Sequence, residues 1–396
     1  MTRCSQRSLR IALFTHSTNP RGGVVHTLEL GDALSDLGHD VVVHAPDPVG
    51  TGFFRASRCG AVALAVRPAK GGLPDLVRSR IKDYLDYLAD PVRRNFDIYH
   101  AQDSISGNAL AVLAAQGTIP GFARTVHHLD EFANPELMAW QTRSVIAANP
   151  VFCVSRLWCE VLRQAWGLQA VLLGNGVDTV RFTPLAQDAD RALCERLGVG
   201  GHPVFLAIGG IEARKNPACI LPALQAVRRV HPQAQLIIAG GASLLDHQAY
   251  QAHFESQLQA CGFTIGPGSD VLLTGPVSDA QLAALYRIAT ALVFPSLKEG
   301  FGMVALEAMA SGTPVIVSQI PPFTEYLGAN DCLWVDPHDP QNLAQAMLAA
   351  CDPATAARLR QAGLRLSRCF AWQDVVQPLL AAYAQLSPTE EQRAHA

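Results

Sequence analysis

Apolar residues along the chain gather into short compact runs, separated by longer stretches in which they recur every three or four positions. Arg10–Phe14 predicts a strand. Val24–Leu37, with Val25, Leu28, Ala33 and Leu37 at helical spacing, predicts a helix, and Asp40–His44 predicts the next strand. Gly38 stands where a helix commonly ends in the left-handed conformation. Such a βαβ unit builds a parallel sheet covered by helices. The pattern continues at Ile98–Ala101, Ala123–His127 and Val151–Val154, and breaks near Val177–Pro184. It resumes at Val204–Ile208, Gln235–Ala239, Val271–Thr274, Ala291–Phe294 and Pro314–Val317. These runs are apolar without alternation, as in strands buried on both faces. Helices are predicted at Asn216–Val230, Asp279–Thr290 and Gly302–Ala310, and a final one within Ser367–Leu386, ahead of the polar tail SPTEEQRAHA. The fold class is α/β: two doubly wound Rossmann-like domains over 1–180 and 184–369, with a closing helix at about 370–388. Ligands of such sheets bind at the carboxyl ends of the strands, and two sheets facing each other would place them in a central cleft.

Composition narrows the class. The chain has 396 residues, 49% apolar and 16% charged, which excludes a disordered chain and fits two domains. A formal net charge of -3 provides no global basic field, so nucleic acid is not an expected partner. No apolar run approaches the roughly 18 residues of a spanning helix, and MTRCSQRSLRIALF lacks the apolar region of a signal peptide. Ten cysteines (Cys4, Cys59, Cys153, Cys159, Cys194, Cys219, Cys261, Cys332, Cys351 and Cys369) form no C-x-x-C pair, so reduced thiols and a cytoplasmic location are expected. Their spacing offers no zinc site. Asp188-Ala189-Asp190 spells D-x-D, a metal-binding string elsewhere, but lies at a helix entry and reads as N-terminal helix charge. Residues 55–94 carry nine Lys/Arg against four Asp/Glu. Val77, Ile81, Tyr84 and Leu88 recur there at helical spacing as a core face, and the excess charge fits a solvated surface, with an anionic acceptor or peripheral membrane contact as the alternative.

The most informative stretch is Phe294–Val317, FPSLKEGFGMVALEAMASGTPVIV. A buried strand ends at Phe294, Glu299 lies in the loop, and Gly300-Phe301-Gly302 leads into a helix. The glycines let backbone approach a ligand, and the free N–H groups of the helix start form an anion site. Glu307 falls about 7.5 Å along that helix for a start at Gly302, roughly the step from a phosphate to a ribose. Taken alone, the two carboxylates equally fit ordinary ion pairs.

FLAIGGIEARKNP, residues 205–217, places Arg214 and Lys215 at a strand-to-helix turn, which suits a diphosphate leaving group and equally a solvated charged turn. Arg21-Gly22-Gly23 sits between the first strand and helix, where backbone N–H groups can hold an anion or hydroxyl; it is not G-x-G-x-x-G, so a nicotinamide cofactor is weakly supported. His16 ends the first strand. In ARTVHHLDEF, residues 123–132, His127, His128 and Asp130 follow a strand, and adjacent residues seldom share one metal ion.

Glu299, seven residues, then Glu307, within P-S-x-x-E-G-F-G-x-x-x-L-E-A-M-A-x-G-x-P-V, resembles the signature of glycosyltransferase family 4, retaining enzymes of the GT-B fold. The resemblance implies that Glu299 contacts the donor sugar, that the amides of Gly300, Phe301, Gly302 and Met303 contact sugar and diphosphate, and that Glu307 holds the ribose. It places Lys215 and Arg214 in the diphosphate clamp, although many members carry an Arg where this chain has Gly210. It sets Gly22 and Gly23 against the diphosphate or acceptor and aligns His127, beside His128, near the sugar's primary hydroxyl. Asn175-Gly176-Val177-Asp178 with Phe182 and Pro184 resembles the domain junction, Thr274-Gly275-Pro276-Val277 the base-contacting stretch, and Phe370-Ala371-Trp372 the start of the closing helix. Glu299, His127 and Lys215 are then the expected catalytic residues.

The implied activity is retaining, metal-independent transfer of a hexose from a UDP- or GDP-linked sugar to an acceptor hydroxyl on a small molecule, glycan or lipid. No cofactor is implied besides the nucleotide-sugar co-substrate. The first 180 residues would face the acceptor and residues 184–369 the donor. The alternatives are a nucleotide-sugar-binding protein without transfer, or another GT-B enzyme such as a nucleotide-sugar epimerase or a sugar phosphorylase.

Overall fold

A computed structural model describes residues 7–241 and 248–386. Cys4 and the tail SPTEEQRAHA lie outside the described residues. The chain divides into two compact units, the first made of the residues up to Gly176 and those from Trp372 onward, the second of Val177–Ala371.

The first unit runs β1 (Arg10–Phe14), α1 (Gly22–Asp36), β2 (Asp40–Asp47), β3 (Gly60–Ala65), α2 (Leu73–Tyr87), β4 (Ile98–Ala101), α3 (Ser104–Ala115), β5 (Ala123–Val126), α4 (Pro135–Ile146), β6 (Val151–Cys153), α5 (Arg156–Trp166) and β7 (Val171–Leu172). Its parallel sheet has the order β3-β2-β1-β4-β5-β6-β7. The second unit runs α6 (Asp188–Leu197), β8 (Val204–Ile208), α7 (Ile220–Arg228), β9 (Gln235–Ala239), α8 (Gln248–Ala260), β10 (Val271–Gly275), α9 (Asp279–Ile288), β11 (Ala291–Phe294), α10 (Met303–Ala310), β12 (Val315–Ser318), α11 (Phe323–Tyr326), β13 (Leu333–Val335), α12 (Pro340–Cys351) and α13 (Pro353–Ser367). Its parallel sheet has the order β10-β9-β8-β11-β12-β13. The chain ends the described region with α14 (Trp372–Val375) and α15 (Gln377–Leu386); Trp372, Leu379, Leu380 and Tyr383 on them, and Val376 between them, join the core of the first unit.

In both sheets the strand order reverses beside the first strand. In the first unit β1 lies between β2 and β4; in the second, β8 lies between β9 and β11. Loops leaving the two strands at such a reversal diverge to opposite faces and leave room for a ligand between them.

Where the chain departs from the sequence expectation, the cause is local. The helix expected from Asn216 begins at Ile220. Asn216 is left-handed, with φ 55°, and precedes Pro217, which disfavours the α-region for it. Arg214 and Lys215 therefore sit in a separate 3-10 turn, Ala213–Lys215. The helix expected from Gly302 begins at Met303, because Gly302, φ 89°, is its cap. The glycines of Arg21-Gly22-Gly23 are not in a loop; they open α1, with Arg21 as its cap. The single closing helix is two pieces, since Pro378 supplies no N–H to continue the ladder.

Asp188 and Asp190 lie in the first turn of α6. Asp190 accepts from the Gln187 backbone N–H at 3.0 Å and from the Arg287 guanidinium at 2.7 and 2.8 Å. Ile81 and Tyr84 on α2 and its cap Leu88 are buried, and Val77 is half-buried. Six of the nine cations of residues 55–94 pair with carboxylates: Arg55 with Glu29, Arg58 with Asp36, Arg78 with Asp75 and Glu136, Arg80 with Asp83, Lys82 with Asp86, and Arg93 with Asp90. Among the described residues, no helix is long and apolar enough to cross a membrane.

Candidate active site

The reversal between β8 and β11 brings together two loops 84 residues apart in sequence. β8 ends in Gly209-Gly210, both at positive φ. A Cβ on Gly209 would lie 3.0 Å from Cγ and Cε of Lys215, so its bare backbone is what lets the lysine fold back over the strand end. β11 ends at Phe294, and the Leu297 N–H donates to the Arg214 carbonyl at 2.9 Å, tying the two loops.

Three charges meet there. Lys215 Nζ donates to Glu299 Oε1 at 2.7 Å and lies 4.3 Å from the centre of the Phe294 ring. An Arg214 guanidinium nitrogen is 3.0 Å from the same carboxylate oxygen. The Glu299 and Lys215 side chains are 6% and 15% exposed, that of Arg214 42%. Burial pushes the Glu299 carboxyl up, but Lys215 and Arg214 more than offset it and hold it below its ordinary value. Burial pulls the Lys215 ammonium below its ordinary value, with Glu299 opposing. A fourth charge, Glu212, has Oε2 4.0 Å from Arg214, which also donates to the Lys298 carbonyl at 3.2 Å; Arg214 is the more solvent-exposed of the two cations.

Three residues after Glu299 comes Gly302, the cap of α10. Gly302 must be glycine: besides its positive φ, a Cβ there would lie 2.3 Å from Cε1 of Phe323. The first amides of α10 have no partner within the helix, as at any helix start. Glu307, one turn further on, is buried, and its Oε2 accepts from the Tyr286 hydroxyl at 2.8 Å. Lys215, Arg214, Glu299, Gly300, Phe301, Gly302, Met303 and Glu307 thus share one end of one sheet. Thr274, Pro276 and Val277 border a cavity of about 240 Å³ together with Arg196.

In the first unit a second cluster forms at the ends of β1, β4 and β5. His127 follows β5, and its Nε2 lies 3.1 Å from Oε1 of Gln102, which follows β4. A Cβ on Gly23 would sit 3.6 Å from His127 Cδ2, so α1 packs its glycine against the imidazole. The His26 ring meets His127 edge-on at 4.6 Å, and His26 Nδ1 lies 2.6 Å from Asn175 Oδ1. Burial, then His26, Arg124, His128 and His100 in that order, drive His127 well below its ordinary value; it is a neutral imidazole at physiological pH. His16 is likewise lowered, first by burial. His128 is exposed, beside Asp130 at 3.4 Å. Gly176 lies under the Trp372 ring, where a Cβ would be 2.6 Å from the indole.

Sequence reasoning missed Tyr286, Gln102, His26 and Tyr326. Tyr286 and His26 read as ordinary members of helices. A buried phenol or imidazole needs a polar partner, but the sequence does not say which one.

Two family models match the chain: Glycosyltransferase Family 4 over residues 20–181 and Glycosyl transferases group 1 over residues 195–364. A D-inositol 3-phosphate glycosyltransferase of Xylanimonas cellulosilytica is 29% identical, covering 96% of this chain and 97% of its own. One from Mycolicibacterium vanbaalenii is 30% identical over 73% of this chain and 67% of its own. Among solved structures, Anabaena HepE, determined in complex with UDP and glucose, superposes with a TM-score of 0.74 at 18% identity, covering 95% of this chain and 100% of that one. The parallel sheets, the paired loops at the β8–β11 reversal and these likenesses converge: the chain belongs to the group 1 glycosyltransferases of family 4, an enzyme of the hexosyltransferase class with the GT-B fold.

Proposed function

We propose that the enzyme moves a hexosyl group from a UDP- or GDP-linked donor to an acceptor hydroxyl, with retention of configuration and without a metal ion. The observation that carries the reading is the meeting of Lys215 and Arg214 on the buried Glu299 carboxylate, four residues ahead of the first residue of α10 and its amides. As the bond between the sugar's anomeric carbon and the diphosphate oxygen breaks, negative charge grows on the diphosphate. Lys215, Arg214 and the α10 amides stabilise that charge more in the transition state than in the ground state. This is work that a divalent ion does in other sugar transferases.

Glu299 orients sugar hydroxyls, and Glu307 accepts from the ribose. Held by two cations, Glu299 is a poor nucleophile. Retention then follows from attack on the face the diphosphate leaves: the acceptor oxygen bonds to the anomeric carbon, and its proton passes to the departing phosphate. His127, neutral, serves as a hydrogen-bond partner for the sugar rather than as a charge, and the glycine pair opening α1 faces the acceptor or the diphosphate. HepE's recorded UDP complexes and the relatives' glycosyltransferase names support the choice of donor class. None of the nine cysteines among the described residues is in a disulfide, which fits a reducing, cytoplasmic setting and belongs to the same proposal.

A panel of UDP- and GDP-hexoses, each assayed in EDTA against phosphorylated and free polyols, tests it. The reading expects nucleoside diphosphate release coupled to a product of retained anomeric configuration. Tight donor binding with neither hydrolysis nor transfer would instead make the protein a nucleotide-sugar binder, and an inverted product would remove the same-face mechanism.

A further inference from the structure

The loop that leads into α10 rests on aromatic side chains rather than on more backbone. Tyr326, at the end of α11, donates its hydroxyl to the Phe301 carbonyl at 3.2 Å and lies 3.4 Å from the Gly302 carbonyl. Its ring stacks on that of Phe301 with centroids 4.8 Å apart and planes 6° from parallel. Phe370 meets both rings edge-on, at 5.6 Å from Tyr326 and 6.3 Å from Phe301. Phe323, from the same short helix, fills the space a Gly302 side chain would need.

The direction of these contacts matters. In a planar trans peptide the carbonyl of one residue and the N–H of the next point to opposite sides. Holding the Phe301 carbonyl toward Tyr326 therefore turns the Gly302 N–H away from it. The Gly302 carbonyl faces the same way, shared between Tyr326 and the Ala305 N–H at 3.0 Å, and so turns the Met303 N–H outward too. A loop with two glycines would otherwise sample many orientations of these amides and lose that freedom only on binding an anion.

We propose that Tyr326 is a positioning residue that presets the Gly302 and Met303 amides to receive the diphosphate of the donor. This rests on the functional reading above. The phenol touches no donor atom; it acts through the two carbonyls. Its removal should therefore weaken recognition of the second phosphate and spare the nucleoside, which no part of this loop holds. A purely structural role would weaken every ligand alike or lower stability.

The test compares the parent with Tyr326→Phe, which keeps the stacked ring and deletes only the hydroxyl. UDP, UMP, GDP and GMP are titrated calorimetrically into each protein, and kcat and donor KM are measured. The expected result is a five- to tenfold loss of diphosphate affinity, monophosphate affinity within twofold of the parent, a matching rise in donor KM, and a melting temperature within 2 °C. Diphosphate affinity unchanged in Tyr326→Phe, or mono- and diphosphate affinity falling together, overturns the proposal while leaving the functional reading in place. A parent that does not prefer either diphosphate over its monophosphate overturns both.

Discussion

Replacing Lys215 with methionine removes one charge from the buried triad and keeps most of the side-chain volume. The ammonium lies 2.7 Å from Glu299 Oε1, and the carboxylate it leaves behind is 6% exposed. Stripping one partner from a buried ion pair costs about 3–5 kcal/mol. Here Arg214 remains 3.0 Å from the same oxygen, but its side chain is 42% exposed and partly screened by solvent. The compensation is incomplete, and we place the cost at about 2–3 kcal/mol, just under the range for an unaided pair. For a domain of this size each kcal/mol shifts the melting temperature by about 2–4 °C, so a drop of roughly 4–12 °C is expected. The pH dependence has a definite sign. In the parent the Glu299 pKa is depressed, so the carboxylate contributes stability above its unfolded value and loses it as pH falls through the folded value. In the variant, burial is opposed only by Arg214 and a Ser296 hydrogen bond, and the pKa rises. The carboxyl then sheds its penalty by taking up a proton on mild acidification, and the gap in melting temperature between variant and parent narrows from pH 7.5 to pH 5. Catalysis loses a preorganised cation at the leaving group, worth about 10²–10³ in rate. Scanning fluorimetry at the two pH values and coupled detection of released nucleoside diphosphate read both effects. A rate within twofold of the parent, with a melting gap of equal size at both pH values, would refute the reasoning.

Three further outcomes are expected. Gly302→Ala forces a Cβ to 2.3 Å from Phe323 at a backbone angle of φ 89°, and should destabilise by about 2–5 kcal/mol through strain and overpacking; a variant that melts like the parent and still binds diphosphate contradicts this. Glu307→Gln keeps an acceptor for Tyr286 but gives up about 1–2 kcal/mol of charge-assisted bonding to the ribose, so donor KM should rise roughly 5–30-fold with kcat within threefold; a loss confined to kcat would remove the ribose assignment. Burial lowers His26 and His44 to about 4 and drives His100 and His127 well below 6.5. The folded state refuses protons that the unfolded chain accepts near pH 6.5, so stability is full above that pH and falls below it, by about 1 kcal/mol per histidine between pH 7 and 5.5; a melting temperature that holds steady or rises on acidification would contradict the buried-neutral assignment.

The central strands were legible because a strand buried on both faces must be an unbroken apolar run. β1, β4, β8, β9 and β11 begin and end where Arg10–Phe14, Ile98–Ala101, Val204–Ile208, Gln235–Ala239 and Ala291–Phe294 predict. Of the edge strands, β10 was legible as Val271–Thr274 and the other three were not. β3 is Gly-Ala-rich and half exposed, β7 has two residues and β13 three, too short to carry a pattern. Helix starts were misjudged where a backbone constraint overrides periodicity, at Asn216-Pro217 and at Gly302. The linear strings located Lys215, Glu299 and Glu307, but not that the first two pair. That contact depends on the sheet reversing order between β8 and β11, a long-range fact. Tyr286, Gln102 and Tyr326 were invisible for a related reason: they work through hydrogen bonds to groups 21 to 25 residues away, and nothing near them in sequence marks those partners.

The most direct test of the account is calorimetric titration of UDP and GDP into the parent enzyme and into the Arg214→Ala/Lys215→Met double variant, in EDTA. The account predicts that the parent binds at least one of the two diphosphates without a metal ion and at least tenfold more tightly than the matching monophosphate, and that the double variant loses that preference. A parent that binds neither diphosphate, or a double variant that binds it as the parent does, would contradict the claim that this pair of cations and the start of α10 hold the leaving group.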